Sequence, residues 1–280
     1  MKAVPPVRRC NSAARQLNLS AALLGLSVLT DAGVEHYRGS FQNRAMYFPL
    51  ASAALTLAAS LFGISDPRSK RHGLRDAVYT LATATGLAGL GFHAYNISKR
   101  PGGLSWLNLF YAAPIGAPAA LVLAGLLGRG AERIRERDVA GAATVLGAPA
   151  DRLLAAVSAA GLAGTVGEAG LLHFRGAFHN PAMLLPVSMP PVAAALLGRA
   201  ALAPRARVRW LTRAWLKITA LLGLAGVGFH TYGVSRNMGG WRNWSQNVLN
   251  GPPLPAPPSF TALAIAGLAA LSLLEEAAND

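Results

Sequence analysis

Eight apolar runs of about twenty residues divide this chain, each long enough to cross a hydrocarbon core of roughly 30 Å. They fall at 17–36, 45–64, 76–97, 105–128, 153–173, 182–202, 210–232 and 257–275. One soluble core does not absorb eight such runs, so they predict an all-α integral membrane protein with eight transmembrane helices. The charge content agrees, at 14% against about 25% in a soluble domain. The third and seventh runs begin among charges: Arg75 and Asp76 in one, Arg213 and Lys217 in the other.

The net charge of +14 is a topology signal and points to no nucleic-acid partner. Eighteen basic residues flank the runs on one side, from Lys2, Arg8, Arg9 and Arg15 to Arg205, Arg207 and Arg209, and only seven flank them on the other. Lys217 lies within a run. The positive-inside rule then places both termini in the cytoplasm of a plasma (inner) membrane protein that crosses the bilayer many times. The basic, then apolar N-terminus carries no small-residue cleavage site, so the first run is expected to stay attached. Cys10 stands alone, which leaves no disulfide framework and no CxxCH for covalent haem.

The chain repeats itself at an offset of 137 residues. "GVEHYRGSFQNRAMYFP" (Gly33–Pro49) matches "GLLHFRGAFHNPAMLLP" (Gly170–Pro186) at nine of seventeen positions. Gly86–Gly103 matches Gly223–Gly240 at eleven of eighteen. Asn108, Pro114 and Pro118 recur as Asn247, Pro253 and Pro257 at an offset of 139. A copy with four spans keeps its orientation, so two parallel tandem repeats of four helices are expected, related by an axis along the membrane normal. The domains are a cytoplasmic segment 1–16, a repeat 17–128, a linker 129–152, a second repeat 153–275 and a tail 276–280.

Four of the six histidines pair across the copies, His36 with His173 and His93 with His230, all near the outward ends of outward-running spans. Imidazole is the commonest metal ligand among side chains. Gly86 and Gly89 lie seven and four residues before His93, and Gly223 and Gly226 do the same for His230, so each pair shares its histidine's helix face. Gly33 and Gly170 each precede a histidine by three. Such side-chain-free faces suit a flat macrocycle with axial imidazoles, hence haem b, and equally suit close helix packing. Arg38 and Arg175 each follow a histidine by two, placed to fork haem propionates or to anchor the interface. Gly39 and Gly176 suit helix ends, and Asn43 and Asn180 suit caps for the next spans.

Asp31 and Glu168 correspond across the copies, and Glu35 is an unmatched third carboxylate. Intramembrane carboxylates are expensive and usually functional. They offer a proton relay, or ligands for an alternative non-haem metal ion, or partners for a cation such as Lys217. Five residues separate Asp31 from His36, which turns the carboxylate about 140° from the imidazole and disfavours a shared site without a kink. Tyr95 and Tyr232 read as belt residues, and His72 as an unmatched loop histidine. The loop from Asn237 to Pro258 is placed to cap the histidine layer.

The leading expectation is a membrane redox subunit binding haem b or another metal through His36, His93, His173 and His230 near the outer face. It would pass electrons between an outer-face redox protein and quinone, or act on a small substrate. The first alternative is a transporter or channel with an intramembrane Asp/Glu/His centre, and the second a non-redox assembly or anchor subunit. The expected partners are the lipid bilayer, quinone and an outer-face redox protein.

Overall fold

The computed structural model describes residues 6–68, 70–111, 115–136, 143–203 and 209–278, with side chains at all of these except 6–10 and 109–111. Lys2, Pro114, Arg137, Arg205, Arg207 and the last two tail residues lie outside the described residues, as do the side chains of Arg8, Arg9 and Cys10. The fold is helical. The long helices are α1 (Pro6–Arg38), α2 (Tyr47–Ser65), α3 (Gly73–Ser98), α5 (Gly116–Arg135), α6 (Ala150–Arg175), α8 (Pro190–Leu202), α9 (Arg209–Arg236) and α11 (Pro258–Ala277). Short helices α4 (Trp106–Tyr111), α7 (Leu185–Ser188) and α10 (Trp244–Asn250) join them. A hairpin of β1 (Thr144–Val145) and β2 (Ala148–Pro149) turns at Leu146 and Gly147, both left-handed, and leads into α6.

Among the described residues, six helical stretches are long and apolar enough to cross a bilayer: Asn11–Arg38, Arg44–Ser65, Ala150–Arg175, Pro181–Leu202, Arg209–Arg236 and Pro258–Ala277. The third and fourth expected runs fall outside that set for different reasons. The run in α3 is diluted by threonines, glycines and His93. The run expected at 105–128 is divided between α4 and α5, and α5 continues through Arg129, Glu132, Arg133 and Arg135. Pro186, Pro190 and Pro191 likewise divide the sixth run into α7 and α8.

Helix α1 packs on α2, α5 and α11, and α6 packs on α5, α8 and α11. Helices α1, α5, α6 and α11 therefore form a central ring in which α1 and α6 stand diagonally opposite. Leu17 and Leu24 of α1, Leu127 and Ile134 of α5, Leu154 and Leu162 of α6, and Leu263 and Leu271 of α11 join one dry core. Helices α3 and α9 pack outside the ring on α5 and α11. One end of the bundle carries the clustered arginines and the other the four paired histidines; these are the basic end and the histidine end below.

At the basic end α2, α3 and α5 are tied by buried charge. Arg75 binds Glu132 through Nε and Nη2 (2.8 and 3.0 Å) and Asp66 through Nη1 (2.8 Å). Arg135 donates to the carbonyls of Asp66 (3.0 Å), Arg68 (2.9 Å) and Gly63 (2.6 Å). Hydrogen bonds from Arg68 hold the Asp66 carboxyl well below the usual carboxylate range. The arginines that set the topology expectation thus also close the loop between α2 and α3 onto α5.

Candidate functional site

The repeated motif H-Φ-R-G-x-F-x-N-x-A-M builds the same turn twice. Phe41 N–H donates to the His36 carbonyl (3.0 Å), and Phe178 N–H to that of His173 (3.0 Å). Ser40 and Phe41 have φ of 55° and 45°, as do Ala177 and Phe178. Two adjacent non-glycine residues in this region carry strain that the surroundings must hold. The Asn43 and Asn180 side chains accept from Ala45 N–H and Ala182 N–H (both 2.9 Å) and cap short 3₁₀ turns. Each phenylalanine ring meets its histidine edge-on at 6.2 Å.

The histidines fasten these turns. His36 Nδ1 lies 2.8 Å from the Met46 carbonyl, and His173 Nδ1 lies 2.8 Å from that of Met183. His230 Nδ1 lies 2.7 Å from the Pro253 carbonyl. A carbonyl only accepts, so each Nδ1 carries a proton, and Nε2 is the nitrogen that offers a lone pair in the neutral ring. His173 and His230 lie within electrostatic reach of one another. Among the described residues, no group of three or more His, Cys, Asp or Glu side chains is arranged to hold a metal ion.

The glycine faces are occupied. A β-carbon at Gly86 would lie 2.6 Å from the Pro118 carbonyl oxygen and 2.7 Å from Val122, and one at Gly89 would lie 3.0 Å from Pro118. A β-carbon on Gly226 would lie 2.8 Å from Pro257, and one on Gly223 would run into Thr261 and Pro257. These glycines bring α3 against α5 and α9 against α11, which is the packing use of such spacing. A β-carbon on Gly170 would meet Val187 at 3.4 Å, an ordinary contact, and one on Gly33 would meet open space. Arg38 is engaged with Glu35 at 2.8 Å, which also accounts for the third carboxylate.

The carboxylates that correspond across the copies face the same seam. Asp31 of α1 lies within electrostatic reach of Glu168 of α6, across the ring, and of Glu35. The Glu168 carboxylate occupies the place a β-carbon on Gly116 would take, at the first turn of α5. The positive end of that helix faces the carboxylate there. Lys217 is exposed on α9, so the cation expected as a partner is not among their neighbours. His36 reaches the Met46 carbonyl just ahead of α2, and Asp31 lies within electrostatic reach of Glu168. At the histidine end Lys99 lies over the Tyr95 ring (5.0 Å) and Arg236 over Tyr232 (5.9 Å).

Sequence reasoning passed over a second polar group. Tyr79 Oη donates to Asn18 Oδ1 (2.6 Å) and lies 3.2 Å from Ser60 Oγ, with all three residues buried. The signal was present as a tyrosine and an asparagine inside apolar runs, but neither has a counterpart in the second copy to draw attention to it. In comparisons with known proteins, no family model, no curated protein and no solved structure matches this chain.

Proposed function

We infer that the protein is an eight-span inner-membrane protein of two parallel four-helix halves that moves protons or a small cation through a carboxylate site at the seam between the halves. The observation that carries this is that Asp31 and Glu168, equivalent positions of the two copies, lie within electrostatic reach of one another on diagonal helices of the central ring. Two carboxylates in a membrane interior are retained at a cost that structure alone does not repay. Neither has an Arg or Lys ion-pair partner among the described residues. Such a pair attracts a proton or a cation to share. The leucine core closes the ring below it toward the basic end. With the basic end in the cytoplasm, the site opens outward. The repeated turns, with matching φ values and histidine bonds, support the parallel halves.

The test is flux in proteoliposomes. Asp31→Asn and Glu168→Gln should each abolish proton or cation movement while leaving the protein folded. Wild-type protein that moves neither would overturn the proposal.

Redox chemistry at the histidines is the second reading, favoured by the approach of His173 and His230 and by the Nε2 lone pairs. The imidazoles fit an axial ligand role. The glycine faces do not fit a macrocycle, because Pro118, Val122, Pro257 and Thr261 fill them. An optical spectrum and metal analysis of purified protein decide it, since bound haem b or a non-haem ion is required.

A further inference from the structure

The two halves share a turn at the histidine end but differ in what lies beneath it. In the first half, α2 carries Ser52, Thr56 and Ser60 at intervals of four, exposed by only 4%, 0% and 0%. Residues four apart stack along one helix face, so the three hydroxyls form a column of about 12 Å. At its lower end Tyr79 gives its one proton to Asn18 (2.6 Å), so Ser60 donates to Tyr79 (3.2 Å). Asn18 Nδ2 donates on to the Ala14 carbonyl (3.0 Å). Arg75, bound to Glu132 and Asp66, stands one turn before Tyr79 on α3. A chain of donors and acceptors thus leads down from Ser60 to the level of the ionic cluster.

Above it, the column is unsaturated. Thr56 spends its proton on the Ser52 carbonyl (2.8 Å) and keeps its oxygen lone pairs. The Ser52 hydroxyl has no hydrogen-bond partner among the described residues, although it is buried. A buried serine on a helix ordinarily bonds back to the carbonyl four residues earlier, as Ser20 does to Gln16 (2.9 Å). A buried hydroxyl left over is costly unless water meets it. The face of α3 that brings Tyr79 into the column carries His93 fourteen residues on, at the histidine end.

The second half is built otherwise. Met189, Ala193 and Leu197 stand at the positions of Ser52, Thr56 and Ser60, Leu216 at that of Tyr79 and Ala155 at that of Asn18. Its own unpartnered buried hydroxyls, Ser158 and Thr219, lie on different helices and form no such run.

Resting on the transport function inferred above, we propose that the first half alone holds a file of water molecules along Ser52, Thr56, Ser60 and Tyr79, and that protons cross the bundle along it. The ligand is water. A proton enters at one end as one leaves at the other, with no bond to carbon made or broken.

The experiment pairs proton flux with a readout of hydration. Wild-type protein in liposomes is driven by a potassium diffusion potential, and flux is followed with an enclosed pH dye. The Ser52→Ala/Thr56→Val double variant should lower flux by about an order of magnitude, the scale of one or two lost hydrogen bonds. Ser158→Ala/Thr219→Val should leave it unchanged. Hydroxyl-radical footprinting of wild-type protein should label Tyr79, despite its burial, as readily as exposed Tyr95. Flux that persists in the Ser52/Thr56 variant overturns the file and leaves the Asp31–Glu168 site standing. An unlabelled Tyr79 overturns the file whatever the flux. Wild-type protein that conducts nothing while Tyr79 is labelled overturns the transport function and the proton route together. If the double variant does not fold, Tyr79→Phe, which removes only the hydroxyl, carries the same expectation.

Discussion

Gly116 leaves, at the first turn of α5, the space that the carboxylate of Glu168 occupies. This links the linker-side helix of the second half to the last long helix of the first, and it fixes where the seam carboxylate lies. Gly116→Ala forces the carboxylate away from the helix end. Overpacking of this kind costs about 1–3 kcal/mol. The expected outcome is a lower unfolding temperature together with lost flux. Flux at the wild-type level in a folded Gly116→Ala protein would dissociate Glu168 from the transport site.

The histidine bonds predict a difference between latch and ligand. His36→Ala and His173→Ala each remove a hydrogen bond to a carbonyl and an edge contact with a phenylalanine. Each should cost about 1–2 kcal/mol of stability. A latch loses that stability equally with and without a chelator. A loss confined to chelator-free samples, with lower bound metal, would make these residues ligands instead.

At the basic end, the buried pairs and the half-exposed one should behave differently. Glu132→Gln removes one of the two buried carboxylates that face Arg75 and leaves Asp66 as its counter-charge; breaking a buried pair typically costs about 3–5 kcal/mol. Arg213 and Glu275 pair at 2.7 Å with both side chains about one-third exposed. Arg213→Ala should therefore change stability by no more than about 1 kcal/mol. Thermal unfolding of the two variants in one detergent makes the comparison.

Asp66 adds a pH dependence. Its folded carboxyl is held below the ordinary value by Arg68 and Arg75. A depressed carboxyl contributes stability that is complete above its unfolded value of 3.8 and is lost as pH falls further toward the folded value. The unfolding temperature should be insensitive to this group at neutral pH and should fall in acid below that point. Asp66→Asn should flatten the acid limb and lower the neutral plateau. An unchanged acid limb in the variant would show that Asp66 does not set it.

The sequence by itself determined the helical membrane character, since apolar length and sparse charge leave a bilayer protein few other folds. It also showed the repeated motif and its asparagine caps, because those are local, but not that its histidines and phenylalanines fasten the turn. The angle between Asp31 and His36 was legible for the same reason, because helical geometry is local. Tertiary structure decided what those residues face. Only packing shows that the glycines near His93 and His230 are filled by neighbouring helices rather than left open for a macrocycle. A glycine face reads the same in both cases until its neighbour is placed. Only packing brings Asp31 to Glu168, which are 137 residues apart and lie on diagonal helices. The basic residues were legible as a topology signal but not as a buried network. The bonds from Arg75 and Arg135 to groups on α5 and the α2–α3 loop depend on side-chain reach between elements far apart in the chain.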